Sequence, residues 1–192
     1  MPQELYQLPK GWAWFPLPEA AQIGASRGFN PPVKTNQACF IGMSDIDQET
    51  GLNSSWEMKD HKKLKSGYTK FEKNAVLVAK ITPCTQNNKT ALIHNLDGGY
   101  ATTEVYPLHP NSKTDPKFLL LFMRSPSARA ILVTQMEGAT GRQRVPTNAL
   151  TSLQIPSPRW WSRNGSSRPW MGSLAGSTKP SPSCNTPKPK PK

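Results

Sequence analysis

Apolar and polar positions alternate in short blocks up to about residue 158, and beyond it no period survives. Trp12-Ala13-Trp14-Phe15 follows a Leu8-Pro9-Lys10-Gly11 turn and reads as a short strand. Residues 18–25 read as a short helix, and residues 38–43 as a strand closing on Ser44-Asp45. Residues 49–66 are polar and turn-rich, which predicts a long surface excursion. Residues 75–81, AVLVAKI, form a β-branched apolar run before Pro83, the pattern of a buried strand. Residues 91–94 and 100–108 flank Asp97-Gly98-Gly99 and predict a hairpin. Phe118, Leu119, Leu121 and Phe122 fall at helical spacing behind a Thr114/Asp115 cap. Residues 127–135 predict a second helix after Pro126, with Ser125 as its cap. Residues 138–144 form a glycine-punctuated basic loop, and residues 153–155 a last strand before Pro156. Strand pairs with late helices predict an α+β domain, with a mixed, mostly antiparallel sheet and a few short helices.

From Arg159 the text changes to Ser, Pro and Lys and ends Pro187-Lys188-Pro189-Lys190-Pro191-Lys192. Such a stretch has too little apolar surface to offset its ordering entropy, so residues 159–192 are expected to be a disordered basic tail on a domain spanning residues 1–158. The formal charge of +12 needs dividing accordingly. Seven of the 24 Lys and Arg lie after Pro158, and residues 1–158 hold the other 17 with all 12 acids, a net +5. That balance is compatible with a phosphate-facing surface without demanding one.

No apolar run approaches the ~18 residues of a membrane span, and the start Met1-Pro2-Gln3-Glu4 has no secretory pattern. Cys39, Cys84 and Cys184 are too few and scattered for a disulfide framework or a CxxC metal site. The expected setting is a reduced cytoplasm with no membrane contact.

Enzyme signatures are missing. Gly138-Ala139-Thr140-Gly141-Arg142 is not a phosphate-binding GxxxxGK[ST] loop, GxSxG is absent, and His61, His94 and His109 lack metal-ligand spacing. Asp60-His61-Lys62 superficially matches a nuclease, but it lies in a polar stretch and reads as a solvated charge run. No catalytic group, metal site or cofactor is expected. Two polar loops remain. Lys80 to Lys89 leaves the buried strand carrying Thr82, Gln86 and Asn87, groups able to bond base edges and phosphates. Arg142, Gln143 and Arg144 offer guanidinium forks and an amide beside Gly141. By composition alone, a connecting loop and a structural turn are the simpler readings. Trp12 and Trp14 read as packing residues.

The string from Phe71 to Cys84, FEKNAVLVAKITPC, resembles the "DVLFAKITPCxxNGK" segment of target recognition domains in type I restriction–modification specificity subunits. More follows in order. Leu8-Pro9-Lys10-Gly11-Trp12 is similar to the family's "LPxGW", and Gly98 to Val105 to its "GFGSTEF" stretch. Met136 to Val145 is similar to "MxGxxGxQRV", and Ser152 to Pro156 to the approach to "IPLPPLxEQ". Each piece is weak alone, but the ordered set spans nearly all of residues 8–158.

The resemblance implies sequence-specific binding of double-stranded DNA by a subunit that does no chemistry. Such a subunit positions modification (methyltransferase) subunits and, through them, restriction subunits. It implies two recognition halves, each followed by a helix that pairs with the other as a spacer. The expected DNA contacts are Lys80, Thr82, Gln86, Asn87, Lys89, Arg142, Gln143 and Arg144. The amides would read bases and the cations would mainly grip phosphate, or else these loops hold the fold or the modification subunit. The 49–66 excursion is a further candidate for specificity. The sequence departs from the family after Pro158, where the "EQxxIV" helix is missing. Trp160-Trp161 requires TGG TGG and Trp170-Met171 requires TGG ATG. Allowed neighbouring codons open another frame reading Val-Val-Glu-Gln-Lys-Arg-Ile-Val, so a frameshift near codons 157–159 is expected. The rival readings are an inert truncated product unable to assemble and a small nuclease using Asp60 and Lys62.

Overall fold

In a computed structural model, residues 5–158 are described. The expectations placed on residues 159–192 lie outside them. In chain order the elements are β1 (Trp12–Pro16), α1 (Leu17–Ala20), β2 (Ala21–Ile23), β3 (Val33–Lys34), β4 (Gln37–Ile41), β5 (Glu57–Asp60), α2 (His61–Leu64), β6 (Thr69–Glu72), β7 (Ala75–Ala79), β8 (Thr90–Ile93), β9 (Gly98–Ala101), β10 (Val105–Pro110), α3 (Pro116–Arg124), α4 (Pro126–Thr134), α5 (Thr147–Ser152) and β11 (Gln154–Pro158).

They form three sheets. One runs β2-β10-β7-β8, a second β3-β4-β9-β6 with β5 on β4, and β1 pairs β11. All named pairings are antiparallel except β4 with β9. The α+β class, the mixed and mostly antiparallel sheets and the short helices are as the sequence predicts.

Period-two alternation explains the layering. Ala75 and Leu77 of β7, with Ala91 and Ile93 of β8, pack in one cluster with Ile41, Phe71 and Ala101 of the second sheet. The intervening Val76, Val78 and Leu92 pack in another with Leu119, Leu120, Met123, Leu132 and Leu150 of the helices. β7 is therefore buried on both faces, which is why its five residues are continuously apolar. A third small cluster, Ala38, Phe40, Leu64 and Tyr100, lies on the other face of the second sheet, with α2 supplying its Leu64.

The helix caps follow from side-chain chemistry. The Asp115 carboxylate accepts from the Lys117 and Phe118 amides, and the Ser125 hydroxyl from the Ala128 amide. Each occupies donors that the first helical turn leaves free. Pro116 and Pro126 follow directly, where a missing N–H costs nothing.

Three predicted elements differ. The helix over residues 18–25 stops at Ala20, because β2 takes Ala21–Ile23 into the edge of the sheet beside β10. The 49–66 excursion is not merely surface loop, since it contains β5 and α2, and Gly51, Asn53 and Leu64 within it are buried. The hairpin about Asp97-Gly98-Gly99 does not form: β8 pairs with β7, while β9 lies in the other sheet against β4 and β6. The two glycines are strand residues chosen for close approach. A Cβ on Gly98 would sit 2.8 Å from the Phe29 ring, and one on Gly99 2.7 Å from the Cys39 carbonyl oxygen.

Candidate nucleic-acid interface

The two polar loops chosen from sequence come together. The Val145 amide donates to the Lys80 carbonyl at 2.7 Å, and the Thr82 amide to the Gln143 carbonyl at 3.0 Å. Ile81 faces Arg144 as an isolated antiparallel bridge. Residues 137 and 144 exchange both backbone hydrogen bonds, closing the second loop on itself. Gly138 and Gly141 both have positive φ there, which is why glycines punctuate it. The Lys80–Lys89 loop is as firmly built. The Thr85 hydroxyl donates to the Ala79 carbonyl at 2.9 Å, and the amides of Thr85, Asn87, Asn88 and Lys89 all find carbonyls within the loop. The pair is a backbone clasp at the end of a fully buried strand.

The clasp sorts the eight candidate side chains. Gln86, Asn87 and Arg142 are exposed, and Gln143 is half-buried. Thr82 spends its hydroxyl on the Gln143 carbonyl at 3.4 Å. Lys80 lies with its ammonium 4.9 Å from the centre of the Tyr106 ring, and the Tyr106 hydroxyl donates to the Val145 carbonyl. Arg144 forms a two-bond fork on Glu104, at 2.8 and 3.0 Å. That fork, helped by the charge of Lys80, holds the Glu104 carboxyl below its ordinary range. Lys89 turns inward, donating to the Met43 carbonyl at 3.0 Å and the Ile46 carbonyl at 3.1 Å.

Lys89 has a counterpart that the sequence did not mark. Arg124 donates to the carbonyls of Thr90, Gln48 and Glu49, at 3.1, 2.8 and 2.9 Å. The two cations thus fasten the 43–49 stretch to the rest of the domain. The Asp45 carboxylate, itself buried, accepts from the Gly42 amide and the Ser55 hydroxyl within the same region. A lone Arg at a helix end gives no sequence signal of this, because its partners are backbone carbonyls.

Asp60 and Lys62 do not form a nuclease-like pair. The Asp60 carboxylate caps α2, accepting from the Lys62 amide at 2.8 Å, and His61 contacts the Tyr100 hydroxyl at 3.1 Å. Among the described residues no group of three or more His, Cys, Asp or Glu is placed to hold a metal ion. Trp12 and Trp14 pack at a sheet edge, the first 6.3 Å from Phe118 between ring centres and the second 4.9 Å from Tyr6. Among the described residues no helix is long and apolar enough to cross a membrane.

Two curated proteins and two solved structures resemble this chain. Over 160 residues, 80% of this chain, it is 34% identical to the Escherichia coli type I restriction enzyme EcoAI specificity subunit. It is 31% identical to the EcoEI specificity subunit of the same organism over the same extent. Over this stretch the chain is similar to type I restriction specificity subunits. It spans about a quarter of those subunits, 26% of their length. The HsdS subunit of Thermoanaerobacter tengcongensis shares its fold, with a TM-score of 0.61 and 24% identity over 82% of this chain and 40% of that one. So does a chain from a type I restriction–modification complex, with a TM-score of 0.65 and 23% identity over 81% and 40%. No family model matches this chain.

Proposed function

We propose that this chain is a DNA-recognition domain of a type I restriction–modification specificity subunit, with no catalysis of its own. It selects a short duplex sequence in the cytoplasm and positions modification subunits there, and restriction subunits through them. A second recognition half would read the other part of a split site. The observation that carries the reading is the clasp. Two loops similar to the family's motifs are locked to each other by backbone hydrogen bonds and leave Gln86, Asn87 and Arg142 directed to solvent. Amides and guanidinium groups on a rigid base are the groups that read base edges and grip phosphate. Lys80, Thr82, Gln143 and Arg144 serve the same face, largely by holding it in shape.

The test is selection from a randomised duplex pool by the purified protein, followed by anisotropy titrations at several salt concentrations. One enriched short sequence, bound more tightly than its scrambled control, supports the reading. Equal binding to all sequences, or Mg²⁺-dependent cleavage by the protein alone, overturns it. Co-purification with a modification subunit tests the assembly.

A further inference from the structure

The clasp accounts for few of the exposed cations. A denser group lies on the second sheet, along the segment from Lys59 to Tyr68. Lys62, Lys63 and Lys65 follow one another on and just after α2 and are all exposed. None of the three forms an ion pair among the described residues. The neighbouring acids are already engaged: Asp60 caps α2, and Glu57 pairs with Lys59 at 3.1 Å.

This segment is anchored, unlike an ordinary solvated charge run. Leu64, 1% exposed, sits between the lysines and plugs into the small cluster with Ala38, Phe40 and Tyr100. Lys59 lies over the Phe40 ring at 3.8 Å, and Tyr68 meets the same ring edge-on at 5.2 Å. Tyr68 nevertheless remains 42% exposed. The result is three exposed ammonium groups in no ion pair, on a segment fixed through Leu64 and followed three residues later by a tyrosine held against Phe40. Surface charges held to a rigid base lose less side-chain freedom on binding than charges on a floppy loop. Ammonium groups and a phenol are the donors that hold phosphate oxygens without reading sequence.

We infer that Lys62, Lys63, Lys65 and Tyr68 grip the phosphate backbone of the bound duplex, as a second surface separate from the clasp. The inference rests on the DNA-recognition reading and adds to it a division of labour. The clasp discriminates bases, while the α2 surface supplies salt-dependent affinity.

The experiment uses the full chain and the triple variant Lys62→Ala, Lys63→Ala, Lys65→Ala, with Tyr68→Phe as a second variant. Both preserve Leu64 and the Phe40 contact, and circular dichroism checks the fold. Binding to a duplex is measured against salt. Each phosphate contact contributes about 0.9 to the slope of log K on log salt. The triple variant is expected to lose roughly two to three units of slope while keeping the wild-type order of preference among duplexes. Tyr68→Phe is expected to weaken binding several-fold to all duplexes alike. The basic residues after Pro158 are common to every protein compared, so they cancel. A wild-type protein that binds no duplex sinks the DNA reading and this inference with it. A wild-type protein that binds, with an unchanged slope in the triple variant, overturns only the inference. Loss of binding to phosphatidylserine vesicles with DNA binding intact would overturn it in favour of a membrane surface.

Discussion

Replacing Lys89 with methionine separates a structural cation from a DNA-contacting one. Methionine keeps most of the aliphatic stem, so packing changes little. What disappears is the ammonium that bridges the Met43 and Ile46 carbonyls. Hydrogen bonds from charged groups contribute about 1.5–3 kcal/mol each, and the half-buried setting favours the lower end. Losing both should cost about 2–4 kcal/mol. For a domain of this size, ~1 kcal/mol moves the melting midpoint by about 2–4 °C, so a fall of roughly 5–15 °C is expected. Urea unfolding measures the first quantity and a thermal melt the second. Anisotropy titrations on the folded variant measure the third, the salt slope of DNA binding, which should not change. A variant as stable as the parent but with its slope reduced by about 0.9 would show that Lys89 faces phosphate and that the inward assignment is wrong.

Gly99→Ala would place a methyl 2.7 Å from the Cys39 carbonyl oxygen and 2.9 Å from the Phe71 ring, both fixed within the second sheet. A loss of about 1–3 kcal/mol in urea unfolding is expected. Arg124→Met removes the three hydrogen bonds that fasten Gln48, Glu49 and Thr90. Amide exchange over residues 47–52 should accelerate strongly while that of β7 changes little. His109 gives a pH prediction. Burial holds its imidazole neutral and its pKa below the ordinary value, partly offset by a Gly24 carbonyl and the Glu72 charge. Its Nδ1–H donates to Gly24 at 2.7 Å and its Nε2 accepts the Glu72 amide at 3.0 Å, so a second ring proton would face an N–H. The unfolded chain takes up that proton first, near pH 6.5. Stability from this group is therefore complete above about pH 6.5 and declines as pH falls towards the lower folded value. The urea midpoint of His109→Gln should be flatter across that window, and an unchanged pH profile would refute the assignment.

The parts of the fold legible in the sequence are those written in local patterns. The apolar run at residues 75–81 reads as a buried strand, and Asp115 and Ser125 announce helix starts through their own side-chain bonds. Strand partners were not legible, because pairing is set by contacts far apart in the chain. Asp97-Gly98-Gly99 has the composition of a tight turn, yet Gly98 and Gly99 are there to admit Phe29, Phe71 and Cys39, which no local reading could see. The candidate site divides in the same way. That both loops leave apolar elements was visible, and so were their amides and cations. That Lys89 turns inward and Arg144 is held by Glu104 depends on partners 40 or more residues away. The anchored character of the lysine run was half-written, in the single Leu64 set among charges.

The pairing of β1 with β11 sets Trp12 opposite Pro158. The first and last strands of the described residues thus share one doorway, about one strand spacing wide, roughly 4.5–5.5 Å. A unit with such a doorway is a cartridge. Such a unit could be slotted into a longer chain with little disturbance to whatever flanks it.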